Sequence, residues 1–217
     1  MGKNYFSFDG ESNGLHGQSF AIGAIVYDEN GNEIDKLAVR CPIEDEVNPW
    51  VAENVLPQIE SIPQTHESYG DMLKAFSEFW LKYKDSADAL VHMGQIVEAK
   101  IIKDAHELGY LGDWDCPYGW IDVYALKEIG DSVDTYAKNN NIEISQRAGG
   151  THNPLYDCEV AAKAYFHWQQ EREKEKNELS WIKEQFAKIT DPDKNNRDVE
   201  LEPIKQTTIP VQAGKER

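Results

Sequence analysis

The residues best equipped for chemistry are carboxylates and histidines at three widely separated points. Asp9-Gly10-Glu11 closes an alternating aromatic stretch, residues 4–9 (Asn-Tyr-Phe-Ser-Phe-Asp). On an extended strand residues i and i+2 face the same side, so Asp9 and Glu11 would project together. His92-Met93-Gly94-Gln95-Ile96-Val97-Glu98 follows a short apolar run. Glu98 would fall in a first helical turn, near the positive end of the dipole. His152-Asn153-Pro154-Leu155-Tyr156-Asp157 places a loop histidine just ahead of a helix whose first turn carries an aspartate. Carboxylate oxygens bind hard cations such as Mg²⁺ or Mn²⁺. An imidazole titrating near neutrality suits general base work.

Each motif alone is weak. D-x-E recurs at Asp157/Glu159 and Asp198/Glu200. An acidic residue at a helix start is common for stability alone, and H-x4-D arises readily by chance in a chain with six histidines. Their value lies in order and context: an acidic pair on a first strand, one acid after a central strand, and a histidine with an aspartate opening a late helix.

The elements that must position these groups follow from periodicity. Residues 4–9, 19–28 and 33–41 read as three strands, with Asn30-Gly31 as the hairpin turn between the second and third. Met72, Leu73, Phe76, Phe79, Trp80 and Tyr83 fall on one face of a helix over 69–84. Residues 89–93 read as a buried strand, 96–108 as a helix closed by Gly109, and 120–123 as a short strand. A polar helix is expected over 132–140, and a long one from about Leu155 to Lys176. Gly149-Gly150 marks the loop before it. Strands alternating with helices after a meander predict an α/β mixed sheet with helices on its faces. The sequence reads as one domain over residues 1–188 and a polar, aperiodic tail over 189–217.

The net charge is −17 and 28% of residues are charged. No basic stripe offers a long phosphate-tracking groove, which leaves open a grip on a few terminal nucleotides with bound cations offsetting local charge. Cys41, Cys116 and Cys158 are scattered, without zinc spacing, as expected of reduced thiols in a cytoplasmic protein. No signal-type or membrane-spanning apolar run is present. A serine hydrolase lacks its G-x-S-x-G, a zinc hydrolase its H-E-x-x-H, and a P-loop is missing.

The three motifs together resemble the DEDDh, DnaQ-like group of 3′–5′ exonucleases in the ribonuclease H-like superfamily. Asp9-Gly10-Glu11, followed by Gly14-Leu15, resembles that group's first motif. His92 to Glu98 corresponds to the second and His152 with Asp157 to the third. The resemblance covers about residues 4 to 170. Glu98 stands where the group usually has Asp, and Met93 where it usually has Asn. Asp104, six residues on, is an alternative for the third acidic position, and Asp122 is a further nearby acid.

The resemblance implies a ribonuclease H-like five-stranded mixed sheet flanked by helices on both faces. It implies metal-dependent removal of nucleotides from the 3′ ends of DNA or RNA, with two Mg²⁺ or Mn²⁺ ions. Asp9 would bridge the ions, Glu11 and Asp157 would complete one site, and Glu98 would reach the other. His152 would act as general base, and Gly14 and Leu15 would lie against the terminal nucleotide. The expected partners are nucleic-acid 3′ ends, single-stranded by preference, with no membrane and a homodimer as the candidate assembly. The rival reading is a catalytically weakened protein of the same fold that binds nucleic acid or another protein. Trp50, Trp114 and Trp120 are expected in the core or as caps over it, His92 as a packed core histidine, and His16 at the surface.

Overall fold

A computed structural model describes residues 3–130, 132–145 and 150–190. The first compact unit ends at Gln170 and a second runs from Glu171. In the first unit, β1 (Asn4–Ser12), β2 (Ser19–Tyr27) and β3 (Glu33–Arg40) form an antiparallel meander, and β4 (Ala87–Val91) and β5 (Ile121–Asp122) add parallel to β1. The sheet order is β3-β2-β1-β4-β5. This is the mixed five-stranded sheet expected, with β1 at its centre.

Alternation along β1 sends its side chains to two cores. Phe6 and Phe8 face one side. There they meet Phe76 and Trp80 of α2 (Tyr69–Tyr83), and Gly10 lies under Ile101 of α3 (Val97–Glu107). Tyr5 and Ser7 face the other, against Tyr165 and Cys158 of α5 (Pro154–Thr190). Ser68 caps α2 by accepting the Asp71 N–H. The polar helix anticipated after residue 132 is α4 (Val133–Asn139), capped by Ser132.

Several expectations need correction. A helix α1 (Pro49–Asn54) and a 3-10 turn (Leu56–Ile59) fill the connection from β3 to α2. Asn48-Pro49, a capping residue followed by proline at the first helical position, is the local signal for α1. The strand at 120–123 shrinks to two residues, because Asp122 turns the chain by accepting the Tyr124 N–H. The last helix runs on to Thr190 rather than stopping near Lys176, and the division into compact units falls inside it. Residues 191–217 of the expected tail lie outside the described residues. Among the described residues no helix is long and apolar enough to cross a membrane.

Candidate metal centre

The site is built at the end of β1, past its last pairing with β4 at Ser7↔Leu90. Asp9 and Glu11 project on the face that receives α5. Opposite Asp9 in the β1–β2 register stands Gly23. A β-carbon there would lie 2.7 Å from the Pro154 carbonyl carbon, so only glycine admits the helix start at this distance. Ser7 Oγ donates to the Cys158 carbonyl (2.9 Å) and the Cys158 thiol to the Gly23 carbonyl (3.3 Å). These contacts seat the first turn of α5 on the strands. One carboxylate oxygen from each of Asp9, Glu11 and Asp157 then falls within 4.8 Å of the others.

Glu98 arrives from the opposite face of the sheet. A β-carbon at Gly10 would lie 2.4 Å from Ile101 Cδ1, so glycine lets α3 press onto β1. Glu98 Oε1 accepts the Gly10 N–H at 3.0 Å. The approach of α3 is set by Asp122, whose carboxylate accepts the N–H groups of Met93 (3.0 Å) and Gly94 (3.2 Å). Met93 there adopts φ 58°, a left-handed conformation rare outside glycine. Asp104 points elsewhere: it accepts from Tyr69 Oη at 2.8 Å and pairs with Lys100. Of the two candidates for the third acidic position, it is Glu98 that adjoins Asp9.

Asn153 opens α5 by accepting the Leu155 N–H (3.1 Å), and Pro154 fills the first helical position. His152, at φ 70°, donates its backbone N–H to Asp157 Oδ2 at 2.9 Å. Its Nδ1 lies 3.9 Å from Glu11 Oε1. Gly14 adopts φ 80°, and Leu15 beside it is 59% exposed. Trp50 and Trp114 correct the expectation of burial, at 55% and 87% exposed. Trp50 lies edge-on to the His152 ring, and Trp120 packs near Phe8 as anticipated. His92 is only half-buried, beside Tyr124, and His16 is exposed.

The electrostatics are those of a site short of positive charge. Among the described residues, no lysine or arginine pairs with Asp9, Glu11, Glu98 or Asp157. Burial pushes the Asp9 carboxyl up to about 7. Burial, then repulsion from Asp9, Asp157 and Glu98, raises Glu11 to about 10. Glu98 rises through burial and Asp9, against the opposing Gly10 hydrogen bond. Asp157 rises through burial, Asp9 and Asp134. Burial lowers the His152 pKa, with Asp134 opposing. Four carboxylates held together without a cationic side chain fit a divalent cation, whose charge reverses these shifts. The donor set is oxygen alone, which suits Mg²⁺ or Mn²⁺ over zinc.

No family model and no curated protein matches the sequence. Solved structures do match. S. pombe Pop2p, in a Mg²⁺- and Mn²⁺-bound form, aligns at TM-score 0.57 and 14% identity, over 75% of this chain and 81% of that one. E. coli Exonuclease I in complex with a dT13 oligonucleotide aligns at TM-score 0.54 and 15% identity, over 83% of this chain and 43% of that one. The fold is ribonuclease H-like. Within this ribonuclease H-like frame the acidic cluster lies at the end of the central strand, where helices from both faces converge. The chain spans under half of the Exonuclease I it matches.

Proposed function

We propose that the chain is a metal-dependent 3′–5′ exonuclease acting on the ends of single-stranded nucleic acid. One observation carries the reading: Asp9, Glu11 and Asp157, distant in sequence, converge within 4.8 Å, while Glu98 docks on the Gly10 N–H between them in the chain. A ribonuclease H-like fold shared with Exonuclease I and with a Mg²⁺- and Mn²⁺-bound protein supports it.

In this reading the carboxylates of Asp9, Glu11, Glu98 and Asp157 would hold two divalent ions. When bound, the pair supplies neutralisation of phosphate charge and a nucleophilic water at neutral pH. The protein's own groups do the rest. His152, whose Nδ1 faces the cluster, would take the proton from the attacking water. Its backbone N–H holds Asp157 in place. Gly14, without a side chain, allows close approach of the terminal nucleotide, and the exposed Leu15 lies against its base. The left-handed backbone at Gly14 directs the loop that presents Leu15.

The test is digestion of 5′-labelled single-stranded DNA and RNA with Mg²⁺ or Mn²⁺, with and without EDTA. Stepwise shortening from the 3′ end that EDTA stops, and that Asp9→Ala abolishes, is the expected result. Intact substrate with both metals and both nucleic acids overturns catalysis in favour of a binding module of the same fold.

A further inference from the structure

The surroundings of His152 hold a residue outside the carboxylate set. The backbone of His152 is fixed by its N–H to Asp157, but among the described residues its imidazole makes no hydrogen bond; the 3.9 Å to Glu11 is too long for one. What the imidazole does meet is the indole of Trp50, with ring centroids 5.3 Å apart and planes at 87°. At 55% exposure, Trp50 is too open for a core role to account for its place.

The backbone that carries Trp50 is also tied down. Trp50 stands second in α1, where Asn48 Oδ1 accepts its backbone N–H at 2.9 Å. The Asn48 N–H donates to Asn13 Oδ1 (2.8 Å), and Asn13 Nδ2 donates to the Glu46 carbonyl (2.9 Å). Asn13 follows the D-x-E strand directly. Beyond α1, the Gln58 carbonyl accepts from Asn153 Nδ2 at 3.0 Å, next to His152 itself. The segment carrying Trp50 is therefore tied at one end to the carboxylate strand and at the other to the histidine loop.

We propose that Trp50 is a positioning residue: its ring is the wall that holds the His152 imidazole toward the carboxylate cluster. The proposal rests on the exonuclease reading, in which that imidazole takes a proton. Proton transfer depends on orientation, and an edge-to-face contact narrows the ring's freedom without taking up a nitrogen.

The experiment combines kinetics with a measurement that needs no activity. In Mn²⁺, Trp50→Ala is expected to lower kcat about three- to tenfold, the range an aromatic pair contact implies, with Mn²⁺ affinity by calorimetry unchanged. Trp50→Phe keeps a ring and restores most of the rate. In a His152→Ala background, Trp50→Ala is expected to add nothing further to kcat. By NMR, the His152 ring proton signals should shift when the indole ring current is removed. An unchanged kcat overturns the proposal, as does an equal loss in the His152→Ala background, which assigns Trp50 to substrate contact instead. If the wild type shows no metal-dependent cleavage, the exonuclease reading fails, and with it the catalytic purpose given to Trp50. The NMR shift then still decides the contact: unmoved His152 signals would show that the wall does not exist.

Discussion

Asp9 and Gly23 stand opposite each other across β1 and β2, and the absent side chain of Gly23 is what lets the first turn of α5 lie beside Asp9. The acidic cluster thus depends on a residue with no functional group. Gly23→Ala would drive a β-carbon against the Pro154 backbone, which cannot swing aside as a side chain can. We expect a loss of about 1–3 kcal/mol in urea unfolding, as for overpacked cores. Mn²⁺ affinity should fall with it, because Asp157 moves away from Asp9. Gly119→Ala, with open space around the site of its β-carbon, is the control and should change stability by under about 0.5 kcal/mol. Equal behaviour of the two variants would sink the argument.

The raised carboxylates give a signed pH dependence. A group whose folded pKa lies above its unfolded one binds protons more tightly when folded, so its contribution is fully present below the unfolded value and is lost as pH rises through the folded value. Asp9 therefore loses its contribution between about 4 and about 7, and Glu11 between about 4.5 and about 10. Asp35 and Glu159, shifted down, act oppositely in the acid range, and His152, also shifted down, opposes the fall as pH rises toward neutrality, one group against several raised carboxylates. In EDTA, Tm should fall from pH 5 to pH 8. Added Mn²⁺ should raise it, by a larger increment at pH 8. A melting series in EDTA with Tm rising over that range would falsify the clustering of charge.

Repulsion within the cluster also predicts a stabilised but dead variant. Asp9→Asn removes the carboxylate that raises Glu11, Glu98 and Asp157. At pH 8 in EDTA it should be more stable than wild type by about 1–2 kcal/mol, the scale of roughly one unit of relieved pKa shift. It should also lose cleavage and most of its Mn²⁺ stabilisation. Thermal melts with and without Mn²⁺ read both effects; destabilisation in EDTA would count against it.

Glu98 and Asp104 are separable by substitution. Glu98→Gln keeps an oxygen for the Gly10 N–H but drops the charge, and should weaken Mn²⁺ binding on the order of tenfold, as loss of a partner near a metal does. Asp104→Asn should leave Mn²⁺ affinity alone and lower stability by about 1 kcal/mol through the Tyr69 bond. Titration calorimetry that reverses this ranking would return the third acidic position to Asp104.

Much of the architecture was legible because it rests on local periodicity. The alternation of residues 4–9, the Asn30-Gly31 turn and the spacing of Met72, Leu73, Phe76 and Trp80 each report a face that must be buried. The same alternation put Asp9 and Glu11 on one side of β1. The start of α1 carried a signal in Asn48-Pro49, but six residues are too few for a periodic pattern to stand out.

Sequence by itself determined which residue types able to bind a cation were present and which strand or helix carried each. Only the tertiary structure decided that Glu98 rather than Asp104 adjoins Asp9, since both acids sit on the same helix and its rotation is fixed by the fit of Ile101 over Gly10 and by Asp122 at the preceding turn. It alone brought Trp50 to His152. Contacts between elements far apart in the chain depend on how surfaces without local periodicity fit together, and a glycine under a helix has no composition signal to announce it.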